Sequence, residues 1–345
     1  MANLGYLQLT RYCAQKCRFC SNPPTGVQLT QTEMRGLIDD LVGMKYDGVI
    51  LTGGEPTMSP LLFDALGYAA KVGLHSRMIT NGQRLADRDF FKRCVDAGLS
   101  HVHVSLHSYR PEVHDFITQY PGAWRALVST LSHVPEMGIT CDINTVINAY
   151  NSDHLHETVI WLCDRFPFIH HFVWNNMDPD GNRAEEYPDC IPKHFEFEVS
   201  LDLAMEYLER TGRTFRAERV PLCYMRRFAH ASTEARKIIK EEERCIRFLD
   251  RKGFVHQKEF LHGKGAACES CAYDAICAGM FSMAKSFDER ELSPVFEDPV
   301  HVIRRVLGRE PEPELVSRIL ARKGRRSSTE QPTPEKRANA RLRVL

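Results

Sequence analysis

The stretch Cys13-Ala-Gln-Lys-Cys17-Arg-Phe-Cys20 sets three cysteines within eight residues, spaced C-x3-C-x2-C. It follows a run, residues 5–12, that reads as a β-strand. A structural zinc site takes four protein ligands, often as C-x2-C pairs. The local set here stops at three. Three thiolates suit a four-iron cluster that keeps one iron open for another ligand. The rest of the chain must then bring such a ligand to that iron.

Working outward, strand-like and helix-like segments alternate. Thr30-x-x-Glu33 forms a capping box ahead of Met34, Leu37, Ile38, Leu41 and Val42 at helical spacing. Asp47-Gly48 turns the chain into a short apolar strand ending at Gly53-Gly54-Glu55-Pro56. Further strands are expected at 76–80, 101–106, 140–147 and 169–174, with helices at 60–72, 88–96, 111–118, 123–136 and 153–165. Six such units predict an α/β fold: a partial (β/α)6 TIM-type barrel of parallel strands with right-handed crossovers, plus a small cysteine-rich C-terminal extension. Ligands in such folds sit at the C-terminal ends of the strands. The cysteine loop, Gly53-Gly54, Asn81-Gly82 and His107 all fall there. In His101-Val-His-Val-Ser-Leu-His107 the odd positions are polar and the even ones apolar. Alternation of period two turns the polar set into the lumen, which suits a polar ligand.

The chain has 345 residues, of which 43% are apolar and 26% charged, and a formal net charge of zero. That balance gives no global argument for nucleic acid or a membrane as partner. No run approaches the ~20 apolar residues a membrane-spanning helix needs, and the N-terminus lacks signal-peptide features. A cytoplasmic location is expected. In a reducing compartment twelve cysteines do not read as a disulfide framework, and the clustered ones point to metal or catalysis.

The second constellation is Cys268-x2-Cys271-x5-Cys277 with Gly279. With Cys223, which follows Val220-Pro-Leu, it makes four candidate ligands; Cys245, in a charged run read as helix over 232–247, is the alternate. Four cysteines in this pattern serve zinc as well as iron–sulfur. Cys94, Cys141, Cys163 and Cys190 are scattered and read as ordinary thiols. From Arg322 onward eight Lys/Arg face two Glu, and residues 325–345 read as a disordered basic tail. The expected organisation is a core at 1–185, a connecting helical segment at 186–222, a cysteine-rich region at 223–290 and C-terminal helices at 291–324.

Taken together, the loop with an aromatic, Phe19, before its last cysteine, Leu51-Thr-Gly-Gly-Glu-Pro56, Thr80-Asn-Gly82, Val104-Ser-Leu-His107, Asn144-Thr-Val-Ile147 and Asn176-Met-Asp-Pro-Asp-Gly181 resemble the radical SAM superfamily in order and spacing. The resemblance covers roughly residues 5–185. It implies a [4Fe-4S] cluster on Cys13, Cys17 and Cys20, with S-adenosylmethionine (SAM) chelating the open iron. It implies reductive cleavage of SAM to a 5′-deoxyadenosyl radical that abstracts hydrogen from a substrate. By the same resemblance the backbone of Gly53 and Gly54 meets the methionyl amino group and that of Phe19 meets the adenine. Ser105 and Asn144 contact the ribose or carboxylate. Glu55 either contacts the amino group or fixes its loop.

The C-terminal cysteines resemble, in part, the SPASM and twitch extensions of such enzymes, which implies one auxiliary [4Fe-4S] cluster on Cys223, Cys268, Cys271 and Cys277. The fuller SPASM pattern has a cysteine where this chain has Phe281. Enzymes with such extensions often modify ribosomally made peptides, the leading substrate class; a small metabolite such as a sugar, cofactor precursor or lipid is the alternative. Only twelve residues precede Cys13, so a fused N-terminal peptide-recognition domain is not expected. A flavodoxin or ferredoxin would supply electrons. His107, Tyr224 and Cys245 are candidates to quench a product radical. From another class, a non-catalytic metal-binding protein would hold metal at both cysteine sites without turnover.

Overall fold

The computed structural model describes residues 4–179, 183–241, 262–283 and 285–322, together with the backbone of 244–247 and 254–257. Its centre is a sheet built by the alternation seen in the sequence. Strands β1 (Leu4–Thr10), β2 (Gly48–Gly53), β3 (His75–Thr80), β4 (Leu99–Ser105), β5 (Thr140–Ile147), β6 (His171–Asn176) and β7 (Thr214–Glu218) lie side by side in chain order. Every neighbouring pair among them is parallel. Helices α1 (Gln31–Gly43), α2 (Leu62–Lys71), α3 (Arg88–Asp96), α4 (Pro111–Thr118), α5 (Ala123–Met137), α6 (Leu155–Arg165) and α7 (His194–Arg210) make the connections. The Thr30–Glu33 capping box is present at the start of α1, where it satisfies backbone N–H groups that the helix leaves open.

The sheet has more strands than the six units expected. The stretch 186–222, read as a connection, contributes α7 and the seventh parallel strand β7. On the other side, β8 (Arg244–Arg247) joins β1 in parallel and pairs with antiparallel β9 (Phe254–Gln257). The charged run 232–247 is therefore not one helix. Helix α8 (Thr233–Lys240) ends where Glu241 takes a left-handed conformation, and the chain re-enters as a strand. Alternation of charged and apolar residues hid this change of period. Cys245 lies on β8; its side chain is outside the described residues, as is the basic tail. Among the described residues no pairing joins β7 to β9.

Val102, Val104 and Leu106 are fully buried toward the helices, while His101, His103 and Ser105 stay half-buried on the lumen side. The period-two expectation for β4 holds. Each fully buried Leu or Val here contributes roughly 1.5–3 kcal/mol of transfer free energy. A single apolar core runs from β1 through α7 into the C-terminal region, where β10 (His262–Gly263), β11 (Met280–Phe281), α9 (Val300–Leu307) and α10 (Pro313–Leu320) pack through Tyr273, Ile276, Val302, Ile303 and Ile319. A second, small cluster of Phe19, Ile117, Met177, Ala184 and Cys190 sits behind the cysteine loop.

Candidate functional site

The N-terminal cysteine loop leaves β1 and is clamped from two sides. The backbone N–H of Lys16 donates to Thr118 O and that of Arg18 to Ile117 O, both at 3.0 Å, fixing the loop to the end of α4. Arg183 N–H donates to Cys20 O at 3.3 Å. The Phe19 ring is buried edge-on against His107, centroids 4.7 Å apart.

On the opposite flank, Gly54 N–H donates to Thr10 O and Glu55 N–H to Tyr12 O, both at 2.7 Å. A Cβ on Gly53 would lie 2.2 Å from Thr10 O, and one on Gly54 2.3 Å from Tyr12 O. These two glycines let the end of β2 lie directly on the backbone that leads into Cys13. Their first duty in this fold is toward the cysteine loop itself.

Glu55 is buried, and its carboxylate is engaged on both oxygens. Oε1 accepts from Thr57 N–H (3.0 Å), Thr57 Oγ1 (2.7 Å) and Thr80 Oγ1 (2.8 Å); Oε2 accepts from Asn81 N–H (2.8 Å). Burial pushes its carboxyl pKa up, against those hydrogen bonds. Of the two roles expected of Glu55, the bonds favour fixing the loop, because they tie the ends of β2 and β3 together. Asn81 then extends its Nδ2 to Cys13 Sγ at 3.8 Å. It belongs to the motif Thr80-Asn-Gly82, yet no role was assigned to it from sequence.

Cys13, Cys17 and Cys20 are half-buried free thiols. Burial raises the pKa of all three; Cys13 is pushed up to about 12, with the Glu55 charge adding to the effect. Cys20 raises Cys13, and both Cys13 and Cys20 raise Cys17, so the sulfurs share one locality. Thiolates held this close, short of water, require a cation, and a bound metal reverses the protonation preference. The donor set fits an iron–sulfur cluster. On the lumen side above it, Ser105 and Asn144 stand in register on β4 and β5. Asn144 Oδ1 accepts from Asn175 Nδ2 at 2.7 Å. Asn175 was missed, though the alternation His171, Val173, Asn175 along β6 marks it as lumen-facing.

His107 is buried; its Nδ1 accepts Val146 N–H at 3.2 Å, and its ring stacks on His114. Burial holds its pKa well below the ordinary value, so it is a neutral brace between the cysteine loop and β5. Tyr224 lies elsewhere, beside Cys223, where its hydroxyl donates to Glu291 O. Its ring packs at His194, on α7.

The C-terminal cysteines do converge. Cys223, Cys268, Cys271 and Cys277 line one cavity of about 310 Å³, counted to its open mouth. Val295 N–H donates to Cys271 Sγ and Gly279 N–H to Cys277 Sγ, both at 3.3 Å. Ser293 backbone serves Cys223 in the same way and Gly265 serves Cys268. Lys264, paired with Asp274 at 2.8 Å, borders the cavity. A Cβ on Gly279, whose φ is +100°, would meet Gly263 O at 2.3 Å. Glycine therefore lets β10 and β11 close behind Cys277. Cys94, Cys141, Cys163 and Cys190 are buried thiols, as expected. Among the described residues, no three cysteine sulfurs at either site draw within 4.8 Å of one another. Four sulfurs on one tetrahedral zinc, at ~2.3 Å each, would lie about 3.8 Å apart.

Residues 7–162 match the model of the radical SAM superfamily. The chain is 28% identical over 157 residues to a PqqA peptide cyclase of Bradyrhizobium diazoefficiens, covering 44% of this chain and 41% of that protein. It is 25% identical over 223 residues to an AdoMet-dependent heme synthase of Nitratidesulfovibrio vulgaris, covering 63% and 59%. It thus spans about two fifths to three fifths of these relatives' lengths. The solved structure of anSMEcpe with bound AdoMet superposes with a TM-score of 0.60 at 13% identity, over 93% of this chain and 98% of that one, a likeness of fold. No helix among the described residues is long and apolar enough to cross a membrane. The family match spans β1 to α6, where the three cysteines, the glycine pair and the strand ends assemble at one mouth, so residues 7–162 form a radical SAM domain.

Proposed function

We propose that this protein uses SAM on a [4Fe-4S] cluster held by Cys13, Cys17 and Cys20 to abstract hydrogen from a ribosomally made peptide, with one auxiliary [4Fe-4S] cluster on Cys223, Cys268, Cys271 and Cys277. The single observation that carries this reading is three half-buried thiols at the mouth of a polar lumen, with a glycine pair and Asn81 packed against them. When bound, cluster and SAM together supply a 5′-deoxyadenosyl radical. The chain's residues orient and shield. Glu55 and Asn81 hold the end of β3 against Cys13. Ser105, Asn144 and Asn175 offer polar groups on the lumen side to a ribose or carboxylate. Phe19, His107 and the apolar cluster behind them keep water from the loop.

The convergence of four cysteines on one cavity supports a metal centre there. Backbone N–H groups aimed at the sulfurs are the device that tunes cluster potential. The peptide reading draws on the PqqA peptide cyclase relative. A second reading, a cofactor precursor such as a porphyrin, draws on the heme synthase relative, which matches a larger share of this chain. We place the protein in the cytoplasm, with a flavodoxin or ferredoxin as donor.

Anaerobic reconstitution, reduction in the presence of SAM and quantification of 5′-deoxyadenosine test the core reading. Formation that vanishes in Cys17→Ala supports it. No product from protein carrying about eight irons per chain overturns it in favour of a non-catalytic metal protein. Retention of a porphyrin on the reconstituted protein, read by its absorption, would turn the substrate assignment from peptide to metabolite.

A further inference from the structure

Below the layer of Ser105 and Asn144 the lumen does not close with apolar side chains, as a packed barrel would. Asp142 is in register with His103 and two residues below Asn144, so its layer lies ~6.6 Å deeper. His101 Nε2 comes within 2.8 Å of Asp142 Oδ2, and His103 Nδ1 within 3.4 Å of the same oxygen. The two imidazoles stack, centroids 4.5 Å apart and 15° from parallel. Among the described residues this is the one set of three or more donor atoms within 4.8 Å of one another.

His101 Nε2 is held against the Asp142 carboxylate at 2.8 Å. His103 Nε2 is buried with no hydrogen-bond partner among the described residues. The three donor atoms lie close enough together to be shared by one metal ion. For tetrahedral metal–ligand bonds of ~2.0–2.2 Å, neighbouring donor atoms lie roughly 3.3–3.6 Å apart. The His103–Asp142 approach falls in that range, and the His101–Asp142 approach is shorter.

We propose that His101, His103 and Asp142 form a site for a divalent transition-metal ion of the zinc class, buried in the lower lumen beneath the SAM layer. Two imidazoles and a carboxylate are a donor set that zinc accepts with one position left for water or a substrate oxygen or nitrogen. Arg77, in register with His101, opposes a cation here, and the Asp142 carboxylate offsets it. This site shares no ligand with either cysteine site and stands or falls apart from them.

The test uses the full chain, reconstituted anaerobically, incubated with zinc chloride and freed of excess metal. Wild type should retain about one zinc per chain that Asp142→Asn and His103→Asn both lack, with iron unchanged. Zinc-edge X-ray absorption on wild type should show only nitrogen and oxygen at ~2.0–2.1 Å. Equal zinc in wild type and variants overturns the site, as does a sulfur shell at ~2.3 Å, which would place the zinc on cysteines. Should both variants lose iron through misfolding, the wild-type spectrum alone still decides.

Discussion

The two cysteine sites use the same atom with opposite surroundings. At the N-terminus three sulfurs lie on one loop, half-buried, at the mouth of the lumen. On the α4 side they are backed by Phe19, the stacked pair His107 and His114, and a small apolar cluster, and on the other flank by the buried Glu55 carboxylate. At the C-terminus four sulfurs come from three turns, with Cys268 and Cys271 sharing one. They are met by backbone N–H groups and bordered by the Lys264–Asp274 pair. The difference teaches that ligand count and the layer behind the ligands, more than the cysteines, divide the labour. On a four-iron cluster, three sulfurs leave one iron open and four leave none.

Removing one sulfur from each site should break the comparison most sharply. Cys17→Ala should take 5′-deoxyadenosine formation to background. Cys271→Ala should lose about four irons per chain yet keep SAM cleavage while losing substrate turnover. Iron analysis beside a product assay reads both. If Cys271→Ala also silences SAM cleavage, the sites are one unit and the contrast fails.

A smaller effect separates the backbones that support each site. Gly54→Ala forces a methyl against Tyr12 O, and Gly279→Ala forces one against Gly263 O at a positive φ. Each should cost roughly 1–3 kcal/mol, measured as a urea midpoint. The first should lower iron at the N-terminal site and the second at the C-terminal site, resolved by their electron paramagnetic resonance signals. Loss of the same signal from both variants would mean that the glycines act on global folding alone.

Much of this was legible in the sequence because each signal was local. The cysteine spacing, the capping box at Thr30 and the alternation in 101–107 are read within a few residues and reappear in place. What escaped depends on pairing across the sheet. β7 looked like a connector because its place is fixed only by lying beside β6. Asp142 drew no notice until register set it level with His103. Glu55 divided between two roles until its four hydrogen bonds, from Thr57, Thr80 and Asn81 past the β2 end and at the β3 end, were seen together. The run 232–247 reads as helix by charge pattern, and only the sheet edge at β1 draws its end into β8.

The subtlest test concerns the histidine backing of the N-terminal site. His114 is buried, accepts His107 N–H at its Nδ1 (3.3 Å), and burial holds its pKa down to about 4. An unfolded histidine titrates near ~6.5. Below that pH the unfolded chain binds a proton that the folded chain refuses. Stability is therefore fully present above ~6.5 and lost as pH falls toward about 4. The slope is roughly 1.4 kcal/mol per pH unit for one such group. His114→Gln keeps an acceptor for His107 N–H but cannot titrate. Its urea stability should fall less steeply than wild type by that one-proton slope between pH ~6 and ~5. Parallel slopes in wild type and His114→Gln would mean that this histidine is already charged in the fold, and the contrast in backing would lose its electrostatic basis.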